Sequence, residues 1–127
     1  MPTRAHEFDA GLDLYSAYDD VCISPRESEL FDTGVHIQLP KNTVGFLKSK
    51  SGLNVKYGIT SEGVIDAGYT GSIMVKLYNH SDKPYRVRKG DKISQLVILP
   101  CLLPELDVVD SLEDTERGTG GFGSTGR

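Results

Sequence analysis

The chain has 127 residues, a formal net charge of -4 and a hydrophobic fraction of 38%. This length fits one domain with a single core. The negative charge argues against a general binder of nucleic acid or of acidic membranes, because such binding relies on neutralising phosphates. The first twenty residues hold no apolar segment of the kind found in secretion signals, and no stretch approaches the length that spans a bilayer. We therefore expect a cytoplasmic protein, or one of the host cytoplasm if a phage or virus encodes it.

The turn residues and the hydrophobic pattern predict an all-β protein. Fourteen glycines and six prolines favour many short strands over long helices. Apolar and polar residues alternate over 35–39 and 73–78, and an extended stretch follows Val44, as in half-buried strands. Only residues 49–56 are suited to a helical turn. The spacing of turns predicts a sandwich or barrel of short antiparallel strands.

Residues 95–106, QLVILPCLLPEL, are apolar almost throughout. Their two prolines argue against a paired central strand. We expect this segment either to be deeply buried or to lie against another copy of the protein. Cys22 and Cys101 lack the spacing of a zinc site or of a disulfide framework, and we interpret both as small apolar packing residues.

The end of the sequence predicts an arm outside the core. After Leu112 the only large apolar side chain is Phe122, so this segment cannot build a core of its own. We expect a β domain over residues 1–112 and a flexible arm over residues 113–127. At about 3.3 Å per extended residue the arm reaches some 50 Å, far enough to cover a site on a neighbouring subunit.

The last eleven residues, RGTGGFGSTGR, match the glycine spacing of a dinucleotide-binding loop and nearly match a phosphate loop. Both motifs act through the helix that follows the loop, and four residues after Gly123 do not make one. The phosphate loop also needs a lysine where Ser124 stands. We reject both motifs, which leaves either a frayed terminus or a segment whose arginines, aromatic ring and hydroxyls bind phosphates and a base.

Four further motifs carry polar groups that suit nucleotide chemistry. AGLDL places Asp13 on the strand face opposite its leucines, and SKSGL offers an ammonium, a hydroxyl and a bare glycine backbone to a phosphate. In GVIDAGYTG, Asp66 is suited to act as a general base beside the flat ring of Tyr69. KGDKISQL adds the amide of Gln95. Each motif alone also has a structural explanation: a solvent-facing carboxylate, a turn into a helix, hairpin chemistry or an edge hydrogen bond.

Taken together and in order, AGLDLYSAYD, KSKSGL, GVIDAGYTG, KGDKISQLV and RGTGGFGSTG resemble the five motifs of the trimeric dUTP pyrophosphatase (dUTPase) family. The resemblance extends from Ala10 to Gly126. It implies a β jelly roll (β-clip-like) that forms a homotrimer with active sites between subunits. It also implies that a C-terminal lid from a further subunit closes over each site. The implied reaction is the hydrolysis of dUTP to dUMP and pyrophosphate with Mg2+ as cofactor.

The resemblance also implies a role for each matching residue. Asp66 is implied to be the general base that activates the attacking water, and Tyr69 the ring that excludes a ribose 2′-hydroxyl. Asp13 is implied to hold magnesium through water while the triphosphate binds the ion. The positions implied to contact phosphates are Lys50, Ser51, Gly52 and Gln95. The positions whose backbone is implied to read the uracil edge are Gly63 and Met74. The implied lid residues are Arg117, Phe122, Gly123, Ser124 and Thr125, with Phe122 on the base.

Two departures from the family pattern and three alternatives bear on this interpretation. Lys50 and Ser49 stand where an arginine and a proline are usual, and a lysine lacks the bidentate fork that grips phosphate. A dCTP deaminase would carry a glutamate where Lys76 stands, and it would not account for the lid. A non-catalytic binding or regulatory module on the same scaffold is the alternative from another class, and the presence of Asp13, Asp66, Tyr69 and Arg117 argues against it. A purely structural β trimer is a third alternative, and it leaves these four residues unexplained.

Overall fold

A computed structural model describes residues 1–123 and 126 of the chain. Within these residues nine strands and one short helix follow one another along the sequence. They are β1 (Gly11–Tyr15), β2 (Val21–Ile23), β3 (Ser28–Asp32), β4 (Thr43–Lys48), α1 (Ser51–Tyr57), β5 (Ile59–Thr60), β6 (Glu62–Asp66), β7 (Met74–Asn79), β8 (Tyr85–Val87) and β9 (Lys92–Pro100).

The strands form three antiparallel sheets around one core. The largest sheet has the order β1-β9-β4-β6, the second has the order β3-β7-β5, and β2 pairs with β8. Buried side chains from all three sheets pack into one hydrophobic cluster. The largest of them is Phe31 of β3. This arrangement agrees with the predicted all-β architecture of short antiparallel strands.

The predicted strand faces are confirmed in β6 and β7. In β7, Val75 and Leu77 are buried and Lys76 between them is exposed. In β6, Ile65 is buried and Asp66 faces solvent. Because successive side chains of a strand point to opposite faces, burial of the aliphatic residues places the polar ones at the surface.

The prediction that residues 95–106 avoid a central paired strand is wrong for their first half. β9 runs to Pro100 and pairs with β1 on one side and with β4 on the other. Pro100 is the last residue of the strand, opposite Thr43 at the start of β4, and a proline at a strand end interrupts no further pairing. The chain then leaves the sheet, and Leu102, Leu103 and Leu106 are exposed.

Residues 35–39 do not form the predicted strand, although their burial alternates as expected. Val35 and Ile37 pack against the core, and Leu39 is buried. The Val35 carbonyl accepts a hydrogen bond from the Ile73 N–H at 2.8 Å, but no strand of the described part of the chain pairs with this segment. The alternation therefore predicted correctly which side chains are buried, but the prediction that this segment pairs in a sheet is wrong.

The predicted helical turn is α1, which ends at Gly58. Gly58 has a φ of 67°, in the left-handed region that glycine adopts at little cost, and its N–H bonds back to the last turn. None of the α1 side chains is fully buried. Across the described residues we find no helix with the length and apolar character needed to cross a membrane.

Candidate active site

One cleft brings together the predicted magnesium-holding carboxylate and predicted phosphate contacts, from three motifs. Asp13, Lys50, Ser51 and Gln95 line this cleft, which we call the Asp13 cleft. The strand order explains why these residues are close together, because β9 lies between β1 and β4. Gln95 of β9 pairs with Asp13 on one side and with Lys48 on the other. Lys50 follows two residues after Lys48, at the entrance to α1.

Asp13 is a buried carboxylate between two ammonium groups. It is 2% exposed. The Lys50 ammonium donates to Asp13 Oδ1, and the Lys92 ammonium lies 3.1 Å from Oδ2. Burial by itself raises the pKa of Asp13, but the hydrogen bonds and charges of the two lysines outweigh it and hold that pKa below its usual value. Asp13 is therefore ionised at neutral pH, and it is not the solvent-facing carboxylate of the structural alternative.

Sequence reasoning missed Lys92. Its ammonium contacts Asp13, whose hydrogen bond and charge raise the pKa of Lys92. The β1–β9 ladder shifts register between Leu14 and Tyr15, so that Tyr15 pairs with Lys92. Such a bulge re-aims nearby side chains. Lys92 lies within the KGDKISQL motif, but only knowledge of this register would have linked it to Asp13.

Two glycines of the predicted motifs differ in their surroundings: Gly11 lines the Asp13 cleft, and Gly52 lies outside it, next to Ser51. A Cβ added at Gly11 would overlap Gln95 Oε1 and would lie 2.9 Å from Gln95 Cδ. The glycine therefore makes room for the Gln95 amide, whose Nε2 donates to the Ser49 carbonyl at 3.0 Å. A Cβ added at Gly52 would meet nothing within 4 Å, so the surface beside exposed Ser51 is open to a ligand.

A second cleft, which we call the Asp66 cleft, contains the predicted base and sugar contact. Its lining includes Asp66, Tyr69 and Met74. Asp66 ends β6, and its carbonyl accepts a hydrogen bond from the Tyr69 N–H at 3.0 Å, which closes a turn. Met74 begins β7. Gly63 of β6 is packed closely, since a Cβ there would lie 3.0 Å from Leu47 Cδ1.

The two clefts are separate within one chain. Asp13 lies on β1 and Asp66 on β6, the two edges of the four-stranded sheet. Three strand spacings, about 14 Å, separate these edges. The residues that line one cleft do not include those that line the other. Within one chain, Asp13, Lys50, Ser51 and Gln95 thus line one cleft, and Asp66, Tyr69 and Met74 line the other.

The C-terminal arm is turned upon itself in the described residues. The Arg117 side chain donates from Nε to the Gly120 carbonyl at 2.6 Å, and the Gly120 N–H donates to the Arg117 carbonyl at 3.0 Å. Phe122 is fully exposed. These bonds of Arg117 are local, and within the described residues it lines neither cleft. The predictions for Ser124 and Thr125 lie outside the described residues.

Comparison with known proteins decides between the families considered above. The dUTPase family model matches residues 1–126, a range that includes both clefts and most of the C-terminal arm. The chain belongs to the dUTPase family. The predicted family is confirmed, and the chain is a dUTPase-family enzyme.

Individual dUTPases resemble the chain over nearly its whole length. The deoxyuridine 5'-triphosphate nucleotidohydrolase of Clostridium kluyveri is 49% identical over 129 residues, covering 99% of this chain and 90% of the relative. A solved structure of the Staphylococcus bacteriophage 80alpha dUTPase with dUPNHPP has a TM-score of 0.91 and 35% identity, covering 100% of this chain and 92% of that one. This likeness confirms the predicted jelly-roll fold.

A magnesium site is the one cofactor prediction for this dUTPase. The phage phi11 dUTPase of S. aureus, with a TM-score of 0.81, 32% identity and coverage of 90% of this chain and 92% of that one, is described with a structural Mg(II) ion. In the described residues of our chain, no group of three or more His, Cys, Asp or Glu side chains is placed to hold a metal. The Asp13 cleft has two carboxylates in its lining, Asp9 and Asp13, and both oxygens of Asp13 contact lysine ammonium groups. An ion that keeps its waters and takes its other ligands from a triphosphate needs few carboxylates from the protein.

Proposed function

We propose that this dUTPase hydrolyses dUTP to dUMP and pyrophosphate. The observation that carries the proposal is the family match over residues 1–126, which spans the Asp13 cleft, the Asp66 cleft and the arm. The phage relative solved with dUPNHPP supports a nucleoside triphosphate with a uracil base as the ligand. Lys76, an exposed residue of β7, stands where a dCTP deaminase would need its glutamate.

Asp66 is the general base of the proposed reaction. Its exposed carboxylate takes a proton from a water molecule as the water oxygen attacks the α-phosphorus. The bond from the α-phosphorus to the bridging oxygen then breaks, and pyrophosphate leaves with the bonding electrons. Because charge builds up on the phosphate oxygens, the reaction needs positive groups and hydrogen-bond donors held in place before it starts.

The Asp13 cleft supplies these groups in the proposal. Lys50, Ser51 and the backbone at Gly52 bind the phosphates, and Gln95 donates a further hydrogen bond through its amide. Magnesium bound with the triphosphate would neutralise part of its charge. Asp13 is the carboxylate that would hold this ion through water, and the lysines beside it keep it ionised.

The Asp66 cleft selects the nucleoside. The ring of Tyr69 lies against the sugar and leaves no room for a ribose 2′-hydroxyl. The backbone at Gly63 and Met74 binds the uracil edge. Gly63 belongs to β6 and Met74 begins β7, the strands before and after the Tyr69 turn, and these two strands lie in different sheets.

The proposed assembly is a homotrimer in which two subunits contribute the two clefts to one site. The separation of the clefts supports this, as do the exposed side chains of Leu102, Leu103 and Leu106 beyond β9, which another copy would cover. The arm, residues 113–127, acts as a lid from a further subunit. Its proposed contacts are Arg117, Phe122, Gly123, Ser124 and Thr125. The cytoplasmic location stays a prediction.

The proposed function is tested in four separate reactions, each of which contains the protein, magnesium and one of the nucleotides dUTP, dTTP, dCTP and UTP. We expect pyrophosphate release from dUTP and far less from the other three. Equal turnover of UTP and dUTP would contradict the role of Tyr69 in excluding ribose. Binding of dUPNHPP without turnover of dUTP would instead show a non-catalytic module.

A further inference from the structure

The ring of Tyr69 is held by a hydrogen bond within its own turn. Tyr69 Oη donates to the Ser72 carbonyl at 2.7 Å, which folds the ring back across Gly71. A Cβ added at Gly71 would lie 2.5 Å from Tyr69 Oη and 2.9 Å from Cε1. The ring therefore occupies the space that a side chain at Gly71 would need, and its orientation depends on where the Ser72 carbonyl lies.

Ser72 is in turn tied to the neighbouring strand. Its hydroxyl donates to Asp32 Oδ1, and the same carboxylate oxygen accepts the Gly34 N–H at 2.9 Å. Asp32 is the last residue of β3 and pairs with Met74, the first residue of β7. The Ser72 hydroxyl thus anchors the end of the Tyr69 turn to a sheet, and the bonds from Ser72 and Gly34 hold the pKa of Asp32 below its usual value.

Four further hydrogen bonds connect the same pair of segments. Two are between backbone groups: the Thr33 N–H donates to the Ile73 carbonyl at 3.1 Å, and the Ile73 N–H donates to the Val35 carbonyl at 2.8 Å. The other two involve side chains. His36 Nδ1 lies 2.8 Å from the Thr70 carbonyl, and the Thr33 hydroxyl donates to the Ile73 carbonyl at 2.7 Å. Residues 32–36 therefore run beside residues 70–73 and hold them at several points. Among these contacts, only the one between Ser72 and Asp32 joins two side chains. It also involves Ser72 itself, whose carbonyl accepts the bond from the Tyr69 hydroxyl.

We propose that Ser72 and Asp32 are positioning residues that set the Tyr69 ring for discrimination between deoxyribose and ribose. This inference rests on the proposed function, because it assigns the discrimination to Tyr69. Without the Ser72 hydroxyl, the Ser72–Ile73 peptide keeps the bond from its N–H to the Val35 carbonyl but loses its tie to Asp32 at the end of β3. The Ser72 carbonyl is then held less tightly, and the tyrosine ring shifts away from the sugar. A ribonucleotide such as UTP then meets less steric exclusion, while Asp66 and the Asp13 cleft are unchanged.

The kinetic experiment compares Ser72→Ala with Ser72→Thr, which keeps the hydroxyl. The control is Ser24→Ala, at an exposed serine between β2 and β3 whose hydroxyl makes no hydrogen bond within the described part of the chain. We expect the ratio of kcat/KM for dUTP to kcat/KM for UTP to fall about five-fold in Ser72→Ala, the effect of losing one net hydrogen bond. Ser72→Thr and Ser24→Ala should keep a ratio close to that of the unchanged protein.

A second measurement follows the ring itself without any nucleotide. In protein labelled with 13C-tyrosine, the Tyr69 ring signal is assigned by its loss in Tyr69→Phe. It should shift in Ser72→Ala and Gly71→Ala and remain in place in Ser72→Thr and Ser24→Ala. If the Tyr69 signal does not shift in Ser72→Ala, the inference is overturned. It is also overturned if the unchanged protein prefers dUTP to UTP and Ser72→Ala keeps the same ratio of kcat/KM values for the two nucleotides. If the signal shifts but the unchanged protein turns over dUTP and UTP equally well, Ser72 does position the Tyr69 ring. In that case the proposed role of Tyr69 in excluding ribose is contradicted instead.

Discussion

At the scale of single residues, the removal of Asp66 separates catalysis from folding. Asp66 is exposed at the end of β6, so Asp66→Asn leaves no core cavity. We expect turnover of dUTP to fall by about two to four orders of magnitude, the usual effect of losing a general base. Calorimetry with dUPNHPP should show nearly unchanged affinity. Asp19→Asn, at another exposed carboxylate, is the matched control. Retention of most activity in Asp66→Asn would place the base elsewhere.

The lysines around Asp13 give a second prediction at this scale, on stability against pH. The lowered pKa of Asp13 stabilises the fold above the unfolded pKa, about 3.9, and this contribution is lost as pH falls through the lower folded value. Lys92→Met removes one of the two cations while burial remains, so the folded pKa should rise. Urea unfolding between pH 3 and 7 should then show the variant losing stability at higher pH than the unchanged protein.

The control for Lys92→Met is Lys76→Met, which removes an exposed ammonium that lies 5.5 Å from the Tyr78 ring centroid on β7. It should leave the pH profile of unfolding unchanged apart from a uniform offset. If both lysine variants show the same profile as the unchanged protein, Lys92 does not stabilise the ionised form of Asp13.

At the scale of strands, Gly11 gives a prediction about how β1 shapes the site on β9. A methyl group at Gly11 would displace the Gln95 amide, which is the far end of a flexible side chain. We therefore expect Gly11→Ala to fold normally and to lower kcat/KM for dUTP about five-fold, as for one lost hydrogen bond. The double variant with Gln95→Ala should be no worse than Gln95→Ala alone. Additive losses would show that Gly11 acts by another route.

The strands also show what could be predicted from the sequence and what could not. The faces of β6 and β7 were predictable because burial of Ile65 and Val75 follows from local alternation. The central place of β9 was not, because it depends on which distant strands pair with it and on Pro100 falling at its end. The site shows the same limit. The sequence motifs identified Asp13 as a site residue, but its burial between Lys50 and Lys92 depends on how distant strands pair, and this could not be predicted from the motifs.

At the scale of the whole molecule, one subunit has features that a lone small domain would not need. Asp13 and Asp66 lie on the strands at opposite edges of one sheet, and several leucines beyond Pro100 are exposed. In the described residues, Arg117 is bonded only within its own turn. Association of copies would cover the leucines and would bring an Asp13 cleft, an Asp66 cleft and an arm to one ligand.

Mixing of two inactive variants tests whether the arm serves a site on other subunits. A chain that ends at Glu116 should keep its stability and its mass in light scattering, since it loses no strand and only one large apolar side chain, the exposed Phe122. Its activity should fall severely, because the proposed lid supplies charge and excludes water. After the truncated chain and Asp66→Asn are dissociated and reassembled together, some trimers combine an intact Asp66 with an intact arm from another chain. Activity should therefore partly return. If each arm closes only over the Asp66 of its own chain, no mixture can restore activity, and the lid would belong to a single subunit.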